Sequence, residues 1–497
     1  MKFKLQAARL LLFYVAVGCA NLPSLFAIEP ILKSDLVKRR YTIMEKVGKQ
    51  GMLILFSGDQ KTYSRDIHYE FRQESNLYYL TGIRQHGATL VLIPGNSLYR
   101  EILFLPKRNA NKELWTGKML NTSEATEVSG IQNIWDSSEF EAFVDSVFYG
   151  RPYRTKRYST NTEYKKFFSA LRRGNAKLFL LLESHPGLKG KLSKEYEFSN
   201  RLRTRFTGFQ TKDATTFLHQ ARVVKSPYEI SQLRKAIAIT VKAQLEAIKN
   251  IRSKIWEYET EALIEYVFKK HSSDPAFPSI VASGPNSTTL HYQSSGRQIG
   301  SGELLLMDVG AEYNYYAADL TRTVPTIGKF NKEQTEIYQL VLDAQRAALK
   351  IIRPGLPISN IHKKAVEVIR KGLVKLGLTT SESGDQYRVF FPHGTSHFLG
   401  LDTHDVGHGE YLKSGMVVTV EPGIYVREDS LDRLIEKGLS QNKLSQVRHS
   451  IEKYMSIGVR IEDDVLVTDG GYELLSQELP REIEDIEKLM SKSENKH

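Results

Sequence analysis

The sequence predicts an α/β (α+β) chain of two domains: a mixed α/β N-terminal domain, then a domain that pairs long helices with strands carrying acidic residues. Three observations predict it. At 497 residues the chain is too long for one ordinary hydrophobic core. In the first half, short apolar runs bounded by glycine, GMLILFSG (51–58) and GATLVLIPG (87–95), stand among helical patterns. In the second half, three apolar runs each enclose a carboxylate: LLLMDVG (304–310), MVVTVEPG (416–423) and GVRIEDDVLV (458–467).

The elements follow in order. Lys2, Lys4 and Arg9 precede the run LLLFYVAVG (10–18) and then small residues, the pattern of an export signal over residues 1–27. The only cysteine, Cys19, stands where a bacterial lipoprotein leader places its acylated residue; cleavage after Ala20 or near Ala27 is the alternative. An exported protein is expected, periplasmic or lipid-anchored at the membrane if bacterial. The folded part then holds no thiol, which excludes disulfides and cysteine metal ligands. No later run of about 20 apolar residues predicts a membrane span.

Residues 28–212 form the N-terminal domain, with a lead-in at 29–40, a first helix near 35–49, and further strands REILFLP (100–106) and NAKLFLLLES (175–184). Residues 213–480 form the second domain. Ser226, Pro227 and Glu229 make a helix start, and helices are predicted at 227–250, 257–271, 331–352 and 358–377. The stretch from Arg427 to Lys453 is charged and shows no obvious strand, and residues 481–497 read as a charged tail in a frayed helix. A hydrophobic content of 41% and a charged content of 25% are those of a globular chain. The net charge of +12 is spread widely apart from clusters such as RPYRTKRY (151–158), and no nucleic-acid motif accompanies it, so a solvated basic surface is expected rather than a nucleic-acid partner.

Asp308, Asp319, His397, Glu421 and Glu462 carry the chemistry. An ionised carboxylate in an apolar run costs several kcal/mol unless a cation or a hydrogen-bond donor compensates. Four carboxylates and one imidazole nearly balance two divalent ions, which leaves a bridging water free to become hydroxide. Asp308 and Asp319 lie eleven residues apart on a predicted hairpin with its turn near Glu312–Asn314, a geometry that brings both to one spot. The competing reading pairs one buried Asp with Arg322 and leaves the other in a turn; His397, Glu421 and Glu462 argue against it. Hard oxygen ligands with one imidazole favour manganese and are compatible with cobalt, iron or zinc. His291, His393 and His404 stand near these residues in sequence, although a histidine beside glycine or on a strand is often only a satisfied core group. Arg460, two residues before Glu462, falls on the same strand face and is expected to orient the site; the alternative is a surface arginine.

The blocks STTLHY, MDVGAEYNYYAADLTRT, PHGTSHFLGLDTHDVG, VTVEPGIYV and IGVRIEDDVLVT, in this order over residues 222–475, resemble the pita-bread metallopeptidases, and most closely the Xaa-Pro aminopeptidase (aminopeptidase P) family. RDIHYEFRQESNLYYLTGI (65–83) and LPKRNANKELWTGKML (105–120) extend the resemblance into the N-terminal half. It implies a pita-bread catalytic domain that removes an N-terminal residue preceding proline from peptide substrates. It further implies that Asp308 chelates one ion, that Asp319 and Glu462 bridge both, and that His397 and Glu421 complete the other. His291 and His404 would contact the substrate carbonyl, His393 would help hold the proline, and Glu421 would shuttle a proton. Trp115, by the same resemblance, would reach a neighbouring subunit's site in a dimer or tetramer. The stretch from Arg427 to Lys453 resembles a variable loop of the family, and on that likeness a loop is expected there. An Xaa-Pro bond is a tertiary amide without an N–H, so a site that polarises the carbonyl suits it. An Xaa-Pro dipeptidase shares all five ligands and remains the nearest alternative. A creatinase-like enzyme would not need them, and a catalytically inactive peptide-binding domain of this fold would not need to keep them.

Overall fold

The computed structural model describes residues 30–154, 164–182, 190–407 and 409–494. The expected leader with Cys19, residues 155–158 of the basic run and the last three residues lie outside the described residues. The chain divides into two compact units, residues 1–218 and 219–497.

In the first unit the opening helix runs Pro30–Val47. It starts ahead of the expected 35 because proline fits the first turn, where its missing N–H costs nothing. The glycine-bounded runs form the middle of a six-stranded mixed sheet. Gly51–Phe56 pairs antiparallel with Thr89–Leu92 and parallel with Ala176–Leu180. Its first five residues are buried, so the strand is covered on both faces, which explains an unbroken apolar run rather than an alternating one. Phe104, Phe143, Phe167 and Phe168 pack this core.

The second unit opens on the helix Pro227–Asn250, where Ser226 and Glu229 make a reciprocal capping box and Pro227 occupies the first turn. The helices Glu257–Lys270, Lys332–Leu349 and Ser359–Lys375 follow within a residue or three of expectation. They cover two antiparallel three-stranded sheets: Ile280–Ser283, Leu304–Val309 and Leu320–Pro325 in one, and Val417–Val420, Asp463–Thr468 and Gly471–Leu474 in the other.

Two of the predicted strands are each broken in two. Residues 416–423 give Val417–Val420 and Gly423–Tyr425, and residues 458–467 give Gly458–Arg460 and Asp463–Thr468. The halves pair in step, Val420 with Asp463 and Gly423 with Arg460, so both breaks fall at one level. Glu421 and Glu462 occupy those breaks rather than ladder positions. Pro422 has no N–H to offer a ladder, which makes an interruption there inexpensive.

Two further expectations are corrected. The charged stretch from Arg427 to Lys453 is not a loop, since it contains the helices Ser430–Glu436 and Leu444–Tyr454. Val447, Ile451 and Tyr454 recur at helical spacing and are buried, a narrow apolar stripe among charges. The C-terminal residues are not a frayed tail. Helix Ile483–Glu494 docks through Ile486 and Met490, buried in the core of the second unit and four residues apart on one face.

Candidate metal centre

The hairpin that bears the two aspartates closes at Asn314–Tyr315, slightly later than expected. Both residues have positive φ, 51° and 69°, and Tyr313 pairs with Tyr316 across them. A two-residue turn of this hand matches strand twist. Gly310 lets the two arms approach, because a Cβ there would lie 1.8 Å from the Ala318 carbonyl oxygen. Asp308 sits within the strand Leu304–Val309, opposite Thr321, and Asp319 immediately precedes the strand Leu320–Pro325.

The expected ligands converge. Asp319, His397 and Glu462 each offer a ligand atom within 4.8 Å of the others. His397 Nε2 lies 3.4 Å from Asp319 Oδ2 and 3.6 Å from Glu421 Oε1. Its Nδ1 is 3.0 Å from the Phe398 carbonyl oxygen, to which it donates, and this leaves Nε2 facing the carboxylates in the orientation a metal ligand would take. Thr321 Oγ1 donates to Glu462 Oε2 at 2.7 Å. Asp308 Oδ2 accepts from the Arg460 guanidinium at 2.5 Å, whereas its buried Oδ1 has no hydrogen-bond partner among the described residues.

Electrostatics describe a site short of positive charge. Burial, and then Asp308, push the Asp319 carboxyl well above the usual range. Burial, with Asp319 and Glu421, does the same to Glu462. Glu421 is pushed up to about 7 by burial, against the opposing pull of His397. Arg460 is hydrogen-bonded to one carboxylate of the group, Asp308. The donor set, all oxygen with one imidazole nitrogen, together with the unpartnered Asp308 oxygen, fits divalent cations.

Around the carboxylates the histidines take different surroundings. Arg460 Nη1 donates to the Tyr425 hydroxyl at 2.7 Å, and that hydroxyl lies 2.8 Å from His393 Nε2. His393 Nδ1 is 2.6 Å from the Gly394 carbonyl oxygen. Burial and the nearby Arg460 hold the His393 imidazole down at about 3, so it is neutral. The His404 ring centroid is 4.4 Å from that of His397, and burial followed by His397 lowers its pKa. His291 is exposed at the rim. All nine residues singled out from the sequence line one cleft of about 720 Å³, whose other wall is apolar, with Phe277, Pro278, Ile280 and Leu290.

Sequence reasoning missed Thr321 and Tyr425. Each sits in a block quoted for its carboxylate, Thr321 two residues past Asp319 and Tyr425 four past Glu421, and that proximity was the available signal. Asp464 was missed as well; its Oδ2 accepts the Asp319 N–H at 3.1 Å. Arg322 does not pair with Asp308 or Asp319. It binds Asp463 Oδ1 at 2.6 Å and the Glu462 carbonyl at 2.7 Å, which braces the strand break that carries Glu462.

The sequence profile of metallopeptidase family M24 matches residues 231–469, and that of the aminopeptidase P N-terminal domain matches residues 36–155. An Xaa-Pro aminopeptidase of Haemophilus influenzae is 33% identical over 471 residues, 92% of this chain and 97% of that protein. Among solved structures, aminopeptidase PepP of Pseudomonas aeruginosa is 30% identical with a TM-score of 0.79, covering 95% of this chain and 100% of that one. Escherichia coli aminopeptidase P with the inhibitor Pro-Leu is also 30% identical, with a TM-score of 0.77 over 93% of this chain and 99% of that one.

Proposed function

The chain belongs to metallopeptidase family M24, in the branch that carries the aminopeptidase P N-terminal domain, and on that premise we propose that it is a metal-dependent aminopeptidase releasing the first residue of peptides with proline second. The observation that carries the reading is the meeting of Asp319, His397 and Glu462, the last at a strand break, with ligand atoms within 4.8 Å of one another. The similar proteins are named for this activity, and one was solved with a Pro-Leu inhibitor.

Asp308, Asp319, His397, Glu421 and Glu462 would hold two divalent ions, with manganese favoured by the oxygen-rich set. When bound, the ions supply Lewis acidity and bring the pKa of water toward neutrality. The side chains do the rest. His291 and His404 reach the scissile carbonyl and stabilise charge on its oxygen. Glu421 takes the proton of the attacking water and delivers it to the proline nitrogen. His393, held neutral by burial and the nearby Arg460, borders the pocket for the proline ring. Arg460 fixes Asp308 and Tyr425 in place.

The charged and apolar start of the sequence supports export, to the periplasm or to a lipid anchor at Cys19 if the source is bacterial. Intact-mass measurement of the mature N-terminus checks it. Leu114 and Trp115, 80% and 85% exposed on a helix that buries none of its residues, support a dimer or tetramer; light scattering measures it.

The activity is tested on manganese-loaded protein with an Xaa-Pro dipeptide, an Xaa-Pro tripeptide and an N-acetylated tripeptide. The tripeptide is expected to lose its first residue and the acetylated one to resist, because a free amine sets the register in an acid-lined cleft. Cleavage of the dipeptide alone moves the reading to an Xaa-Pro dipeptidase with the same residues.

A further inference from the structure

Glu257 is a fully buried carboxylate at the first position of helix Glu257–Lys270, far in sequence from the blocks that carry the site. Five donors from residues 283–297, the segment running on from the end of strand Ile280–Ser283, converge on it. Ser283 N and Oγ reach Oε1 at 2.6 and 2.7 Å, and Asn286 Nδ2 reaches it at 3.1 Å. The Tyr292 hydroxyl and the Arg297 N–H reach Oε2 at 2.9 and 3.0 Å. The loop answers in kind: the Arg297 and Ser295 carbonyls accept the N–H groups of Glu257 and Tyr258 at 3.0 and 2.9 Å. Between the two sets of donors stands His291, next to Tyr292 and exposed at the rim of the cleft.

We propose that Glu257 is a positioning residue for His291, holding residues 283–297 in the one conformation that aims the imidazole at the reacting carbonyl. This rests on the role given to His291 above. Charge is the means. Every group facing Glu257 is a donor, so the site calls for two acceptor oxygens, and a carboxylate at a helix N-terminus also meets the favourable end of the helix dipole. An amide of the same shape supplies one acceptor. Its NH₂ would face either the Ser283 N–H or the Arg297 N–H, and neither backbone donor can reverse. The loop then loosens on one side of His291 while the strands bearing the metal ligands are untouched.

The test is a double-mutant cycle in the metal-loaded full chain with Glu257→Gln and His291→Ala. Glu257→Gln is expected to lower kcat about tenfold with little change in KM, as loss of a supporting contact does, and to leave metal content intact. Hydrogen exchange should quicken at residues 283–297 and not at 304–325. In the His291→Ala background Glu257→Gln should cost nothing more. If the two losses multiply, or if Glu257→Gln sheds metal, Glu257 does not act through His291 and the inference falls. A full rate in Glu257→Gln beside an impaired His291→Ala overturns the inference alone; a full rate in His291→Ala overturns the role of His291 itself. Should Glu257→Gln not fold, Tyr292→Phe removes a single donor and is expected to give a few-fold loss of kcat that vanishes in the same background.

Discussion

Asp308 Oδ1, buried beside three other carboxylates and without a hydrogen-bond partner among the described residues, expresses at one atom the site's shortage of positive charge. Native interiors rarely leave such an oxygen unpaired. Asp319→Asn and Glu462→Gln each remove a charge where the ions would be shared, so each is expected to abolish turnover and reduce bound metal to one ion or none, read by elemental analysis beside activity. Two retained ions at full rate would falsify their assignment as bridging ligands. His404 differs. It packs edge-on against His397 and is no part of the converging ligand atoms, so His404→Ala should keep both metals and lower kcat about 10²-fold, the loss of one oxyanion-type donor. A defect explained wholly by lost metal would make His404 a ligand.

Among the elements, the loop that presents His404 is anchored from below. Asp405, the next residue, is buried with Arg222 at 2.6 Å and Lys225 at 2.8 Å. Gly400 admits its carboxylate, since a Cβ there would lie 2.0 Å from Asp405 Oδ2. Burial alone would push the Asp405 carboxyl up, but Lys225 and Arg222 outweigh it and hold it below the ordinary value. Because the folded pKa is depressed, the stabilisation is present above the unfolded value of about 3.9 and is lost as pH falls through the folded one. Asp405→Asn removes the buried carboxylate that Lys225 and Arg222 share, leaving Arg222 the more exposed Asp402, and is expected to cost about 3–5 kcal/mol at neutral pH. Denaturant unfolding at pH 7 and at pH 3 measures both effects: the gap between wild type and variant should narrow in acid. A gap that stays constant across that range would mean the ion pair contributes nothing specific.

At the scale of the whole molecule, removing metal is expected to destabilise the second unit selectively. Ions bound only by the native state stabilise it by about 2.7 kcal/mol when present at a hundred times Kd. Chelation should therefore lower the calorimetric transition of residues 219–497 and leave that of residues 1–218 near its place, with manganese restoring it. An equal shift of both transitions would place the cation elsewhere.

The sequence alone determined which acidic residues and histidines come to line one cleft, the two-domain α/β division and the long helices, because carboxylates in apolar runs, capping residues and helical periodicity act locally. Ser226, Pro227 and Glu229 specify a helix start wherever they occur, and an acidic residue in VTVEPG is costly in any fold that buries it. The tertiary structure decided what depends on partners distant in sequence. The paired breaks at Glu421 and Glu462 exist only because two strands interrupt at the same level. Arg322 bracing Asp463, Tyr425 joining Arg460 to His393, and Glu257 gathering a loop more than twenty residues away are contacts that sequence spacing does not encode. The helices within Arg427–Lys453 and the docking of the expected C-terminal helix were hidden for a related reason. Their apolar stripes are narrow among many charges, and burial against the rest of the second unit, rather than local propensity, is what makes them helices.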